Sequence, residues 1–213
     1  MKTIRLFILV NIAFLMGCRT FVEKESIDIC ANSNLPCIAK TENVLLVTNQ
    51  GKIKLELYGE LAPLTVGNFI DLVEKGGYNN IIFNRVIREP VPFVIRVGDN
   101  RLMNNYKESK RENISKIRYL PLEIKLKSDK YPIYGKVINE ANKILKIELK
   151  HKRGSLSMAR SKGLNSANSQ FYISLRSLPE LDGRYAVFGK VLDGINVIDL
   201  IQEEDFIIEA IRL

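Results

Sequence analysis

One histidine, His151, and three cysteines, Cys18, Cys30 and Cys37, are the only such side chains in this 213-residue chain, and none of them cluster with the spacing of a zinc site. Metal chemistry is therefore not expected. No run of apolar residues spans a membrane by itself, because the N-terminal stretch Leu6–Met16 falls short of the about 20 residues that a crossing helix needs. Charge of one sign is not segregated either. The formal net charge is +8, which favours acidic partners or anionic surfaces, yet the basic residues of Lys107–Arg118, Lys125–Lys130 and Lys146–Arg153 are interspersed with acids and read as a solvated face. With no recognition motif among them, a nucleic-acid partner is not expected. What remains is 46% hydrophobic and 26% charged, enough for one domain with a substantial core.

The chain opens with Lys2 and Arg5 ahead of the apolar run, and a small residue, Gly17, precedes Cys18. A basic start, a short apolar stretch and a small residue before its end describe an export signal over residues 1–17. Leu15-Met16-Gly17-Cys18 resembles a bacterial lipoprotein processing site, which implies lipid on Cys18 and a membrane-anchored lipoprotein in the cell envelope. An uncleaved N-terminal anchor helix is the alternative. Residues 18–43 lack a sustained hydrophobic period and read as a spacer. Within it Cys30 and Cys37 enclose a short loop, consistent with a disulfide in an exported chain or with two free thiols.

From Val44 the pattern becomes that of a fold. Val44–Val47 and Lys52–Tyr58 flank Asn49-Gln50-Gly51 as a hairpin, and Pro63 opens a helix that places Val66, Phe69, Ile70 and Val73 on one face before Gly76-Gly77. Strands are predicted at Ile81–Ile87, Phe93–Val97, Leu120–Ile124, Gly154–Met158, Gln170–Ser174 and Ala186–Val191, a second helix over Ile195–Gln202, and a last strand at Phe206–Ile211. The segment Asn139–Lys150 fits helix or strand. Many short strands and two helices argue for a mostly β protein, a closed antiparallel barrel capped by helices, because closure removes exposed edges.

Three blocks carry more specific information: Phe83-Asn84-Arg85-Val86-Ile87, Phe93-Val94-Ile95-Arg96-Val97-Gly98-Asp99, and the stretch from His151 to Val191 with Ser-Leu-Ser-Met-Ala-Arg (155–160), Gln170-Phe171-Tyr172-Ile173 and Leu181-Asp182-Gly183. In order and spacing they resemble the cyclophilin-type peptidyl-prolyl isomerases. The resemblance covers roughly residues 44–213 and implies an eight-stranded barrel, a monomer, no cofactor, and a groove that takes proline-containing, unfolded or partly folded polypeptides. It implies Arg85 as the catalytic residue. Phe83, Phe93, Val94, Arg96, Ala159, Arg160, Gln170, Tyr172, Leu181 and Tyr185 would contact substrate. Departures are equally legible: Asn84 replaces a histidine, Val94 a methionine, Arg96 a glutamine and Arg160 an asparagine, and residues 100–105 replace a glycine-rich loop. Many members have a tryptophan before Leu-Asp-Gly; this chain has none, and Glu180 stands there.

The chemistry fits these residue types. Rotation about a prolyl amide is opposed by a barrier of about 18–20 kcal/mol although the two isomers are close in energy, so a catalyst needs only to hold the ring and stabilise the twisted amide. An always-charged guanidinium with several fixed donors suits that task. A period of two places Phe83 and Arg85 on the same strand face. The competing expectation, from another class, is a module that grips proline segments without turnover, as a holdase or adhesin.

Overall fold

The computed structural model describes residues 30, 33–98 and 118–213. Strands β1 (Thr41–Thr48) and β2 (Gly51–Tyr58) form the expected hairpin, with Thr48 opposite Gly51, and alternate buried and half-buried residues along their length. Helix α1 (Pro63–Glu74) follows, then β3 (Ile81–Val86) and β4 (Val94–Val97). The short strands β5 (Glu123–Ile124) and β6 (Ile133–Tyr134) pair only with each other, and the single-turn helix α2 (Ala141–Ile144) comes after them. The chain is completed by β7 (Ser155–Met158), β8 (Phe171–Ser174), β9 (Val187–Asp193), the single turn α3 (Val197–Leu200) and β10 (Phe206–Arg212). Eight strands close a barrel in the order β1-β10-β3-β4-β8-β7-β9-β2, and the paired strands run antiparallel. Closure leaves no open edge for pairing with another chain.

Apolar residues on the inward face of each barrel strand form one core with the buried residues of α1. Phe69 of α1 lies 4.9–5.2 Å, ring centre to ring centre, from Tyr78, Phe171 and Phe188, which are fully buried with it. Each such side chain stabilises the fold by about 1.5–3 kcal/mol through burial. The helix stops where the sequence indicated, with Gly76 in the left-handed region at φ 67° and the Gly77 amide donating to the Leu72 carbonyl at 2.7 Å.

Several expectations need correction. Leu120–Ile124 is not a barrel strand: Leu120 makes one bridge to Ala167, and Glu123–Ile124 pair with β6 above a second small core of Leu122, Ile124, Leu126, Ile138, Ile147 and Ala186. The helix expected over Ile195–Gln202 is one turn long. In the ambiguous segment both alternatives occur, since Ala141–Ile144 is helical and Ile147 then bridges Leu126.

The barrel also begins earlier than Val44. Leu35 and Ile38 pack against the core, the Ile38 amide donates to the Pro63 carbonyl at 3.1 Å, and the Pro36 carbonyl occupies the space a Cβ on Gly67 would need. Residues 35–40 are thus docked on α1. That close approach requires glycine at position 67. Cys30 and Cys37, 5.5 Å apart at Cα, are joined in a disulfide beside this segment. Cys18 and residues 100–105 lie outside the described residues. Among the described residues no helix is long and apolar enough to cross a membrane.

Helix α1 is buried on more than the one side its pattern indicated, because Leu64, Thr65, Gly67 and Asn68 are covered as well. Its first turn is capped from a distance. Glu123, 1% exposed, accepts hydrogen bonds from the Leu64 amide (3.2 Å), the Thr65 amide (2.9 Å) and the Thr65 hydroxyl (2.6 Å). Burial raises the Glu123 carboxyl above its usual range against the pull of these bonds. Replacing Glu123 by Ala leaves those donors buried without that partner, and thermal or denaturant unfolding is expected to show a loss of about 2–4 kcal/mol. An unchanged unfolding midpoint would show that the helix start does not depend on the carboxylate.

Candidate active site

On the wall formed by β3, β4, β8 and β7, the strand register decides which side chains face inward. Phe83 pairs with Val97, Val97 with Phe171, and Phe171 with Met158; all four are in the barrel core. The neighbouring row is Arg85 opposite Arg96, Arg96 opposite Tyr172, and Tyr172 opposite Ser157. Between Phe83 and Arg85 the pairing slips, so that Asn84 is an extra residue on β3. This bulge overturns the expectation that Phe83 and Arg85 share a face. Phe83 is fully buried in the barrel core, whereas Arg85 is exposed.

Outside the barrel wall a third apolar cluster gathers Val94, Tyr172 and Leu178, with the half-buried Ile87, Phe93, Ala159, Leu181 and Tyr185 packed around them. The sequence-predicted residues Phe93, Val94, Ala159, Tyr172, Leu181 and Tyr185 thus come together, and Ile87 and Leu178 join them unforeseen. Tyr172 and Tyr185 meet edge to face at 5.9 Å. The Arg160 guanidinium lies 4.9 Å above the Tyr185 ring, held there by two hydrogen bonds to the Arg184 carbonyl. Gln170 is half-buried between Ala159, whose amide bonds its carbonyl at 2.9 Å, and Gly98.

A buried polar relay lies under the cluster. Asp182 accepts hydrogen bonds from the His151 amide and from ring Nδ1, both at 2.8 Å, and ring Nε2 is hydrogen-bonded to the Tyr172 hydroxyl at 2.9 Å. His151 is 1% exposed. Burial alone would raise the Asp182 carboxyl, but the His151 bonds outweigh it and hold the group below its usual range. Burial pushes the Tyr172 phenol upward, so it stays protonated and continues to donate. A lone histidine gives no such signal in sequence; the clue was the hydroxyl of Tyr172, which needs a buried partner wherever its ring is enclosed.

At the rim, the Arg176 guanidinium sits 6.0 Å from the Phe93 ring centre and pairs with Glu180 at 2.7 Å. Arg96 is half-buried, and its Nε donates to the Asn84 side-chain oxygen at 3.2 Å. Burial, and then the positive charge of Arg85, lower the Arg96 pKa. Among the described residues no group of three or more His, Cys, Asp or Glu side chains could hold a metal ion. The site is therefore an apolar cluster bordered by guanidiniums, with Arg96 and then Arg85 next to Tyr172 in the cross-strand row, a chemistry suited to a ring adjoining a polar amide.

The family described as "Cyclophilin type peptidyl-prolyl cis-trans isomerase/CLD" matches residues 43–209, nearly the whole described barrel. The chain belongs to this family. A peptidyl-prolyl cis-trans isomerase of Helicobacter pylori is 34% identical over 172 residues, covering 80% of this chain and 86% of that protein. Peptidyl-prolyl cis-trans isomerase-like 2 of Rhizopus delemar is 36% identical over 166 residues; the match takes in 78% of this chain but 26% of that longer protein. Among solved structures, a cyclophilin-type isomerase of Cryptosporidium parvum superposes with a TM-score of 0.59 at 26% identity, covering 81% of this chain and 98% of that one, and it has also been crystallised in the presence of the dipeptide Ala-Pro. The cyclophilin-type isomerase described here thus has the family's closed barrel.

Changing Tyr172 to Phe in this cyclophilin-type isomerase keeps the ring but strands Nε2 of a buried histidine. The expected result is a loss of about 1–3 kcal/mol of stability by chemical unfolding. Equal stability of variant and parent would mean that the relay does not hold the pocket floor.

Proposed function

We propose that the isomerase activity of the family is carried in this chain by Arg85, acting as the donor to the twisted prolyl amide while Phe93, Val94, Tyr172 and Leu181 enclose the ring. The observation that supports this most is the outward row. Arg85 stands in register with Arg96 and Tyr172, one edge of the apolar cluster, and among the described residues no carboxylate ties up its donors. Twisting the amide returns the lone pair to nitrogen and makes it a better acceptor, so a donor that strengthens as the bond twists lowers the barrier. Ala159, Arg160, Gln170 and Tyr185 line the continuation of the groove, where the backbone on either side of the proline would lie.

The domain acts as a monomer on proline-containing, unfolded or partly folded exported polypeptides, tethered by lipid on Cys18 behind an export signal. The basic start, short apolar run and Gly17-Cys18 junction support that address. A second reading, a module that grips proline segments without turnover, draws on the repulsion between Arg85 and Arg96, and measured turnover separates the two.

Arg85→Ala is expected to retain the fold and lose about 10²–10³-fold in kcat/KM for a short proline peptide, equivalent to roughly 3–4 kcal/mol of transition-state stabilisation. Equal activity of two folded proteins would remove Arg85 from the mechanism. Cys18→Ala is expected to shift the protein from washed membranes to the soluble fraction. A variant that stays in the membrane with residues 1–17 attached would support the uncleaved anchor instead.

A further inference from the structure

We infer that this groove selects proline segments carrying an acidic side chain within two residues of the proline. The inference rests on the isomerase reading above and names its substrate class. It comes from an imbalance of charge. Arg118, Arg153, Arg176 and Arg212 each hold a carboxylate: Asp71, Asp199, Glu180, and Glu42 with Glu74. Arg88 is anchored by the carbonyls of Ile198 and Ile201, and Arg160 by those of Arg184 and Ser161. Arg85 and Arg96, by contrast, are direct cross-strand partners, and among the described residues neither meets a carboxylate. Glu203, whose carboxylate accepts the Val86 amide at 3.1 Å, makes no ion pair with Arg85. The hydrogen bond of Arg96 goes to Asn84, a neutral acceptor.

Cross-strand partners in an antiparallel pair are about 4.5–5.5 Å apart at Cα, so the two cations repel one another at a position where Arg96 has already lost part of its water. A peptide with no charge beside its proline leaves that repulsion in place. A carboxylate entering between the guanidiniums relieves it, and each guanidinium offers a two-pronged donor set for the anion. Because Arg96 is the cross-strand partner of Tyr172, the cation pair borders the proline pocket, within reach of a side chain one or two residues along the bound segment. The same field attracts an acidic segment before contact and repels a basic one.

The test uses the purified full-length protein and short peptides with one Ala-Pro core, carrying Glu, Gln or Lys in turn at each of the two positions before and after it. Isomerisation is followed by exchange NMR, and affinity by chemical-shift titration, at about 0.05 M and about 0.5 M salt. At one position at least, the Glu peptide is expected to exceed the Gln peptide by about 5–30-fold in kcat/KM and the Lys peptide to fall below both, with the gap shrinking at high salt. In Arg96→Gln the Glu-to-Gln ratio is expected to fall below about twofold. Equal handling of Glu and Gln at all four positions would overturn the inference, as would an undiminished ratio in a folded Arg96→Gln protein. Absence of turnover with every peptide would count against the isomerase reading alone, and the ratio of dissociation constants would then decide the charge preference by the same criteria.

Discussion

The extra residue at Asn84 governs what the wall of this barrel can present. In an unbroken strand Phe83 and Arg85 would point the same way, and either a phenyl ring would leave the core or a guanidinium would enter it. Inserting Asn84 shifts the parity, so that Phe83 fills the barrel beside Val97 while Arg85 joins the solvent-side row with Arg96 and Tyr172. The rest of the site depends on that shift. Tyr172, on β8, marks where the row meets the apolar cluster, and β3 and β4 hold the two guanidiniums at cross-strand positions relative to it.

The apolar cluster is tied together by hydrogen bonds beneath it. The Tyr172 ring is packed by Val94 and Leu178 and tied through its hydroxyl to His151, which is tied in turn to Asp182 beside Leu181. A single chain of hydrogen bonds therefore links two sides of the cluster, one from β8 and one from the loop before β9. Such a network is stable only when each member is satisfied, and here every ring nitrogen of His151 has a partner. The rim differs, because Arg85 and Arg96 are left with mutual repulsion and an exposed approach.

Much of this was legible in the sequence. The hairpin about Asn49-Gln50-Gly51, the Pro63 helix with its glycine stop, and most barrel strands followed from periodicity and turn residues; the cyclophilin resemblance supplied the eight-stranded barrel and grouped Phe93, Tyr172 and Leu181, which lie in one apolar cluster. What escaped were effects of tertiary contact. A period-of-two reading cannot see a bulge, and so puts Phe83 and Arg85 on one face where the structure puts them on two. Residues 35–40 look like a spacer because their few apolar side chains, Leu35 and Ile38, lack a repeat, although they are docked on α1 through Gly67. Leu120–Ile124 carries a strand-like composition but serves a separate small core and supplies Glu123 to a helix about sixty positions away in sequence.

In the proposed complex a bound prolyl amide sits between the apolar cluster and Arg85. A crystal structure of the protein with an Ala-Pro peptide tests it most directly. The account expects the proline ring against Phe93, Tyr172 and Leu181, with an Arg85 guanidinium nitrogen within about 3 Å of the prolyl amide group. A peptide bound elsewhere on the barrel, or a proline in this pocket with Arg85 turned away to solvent, would contradict it.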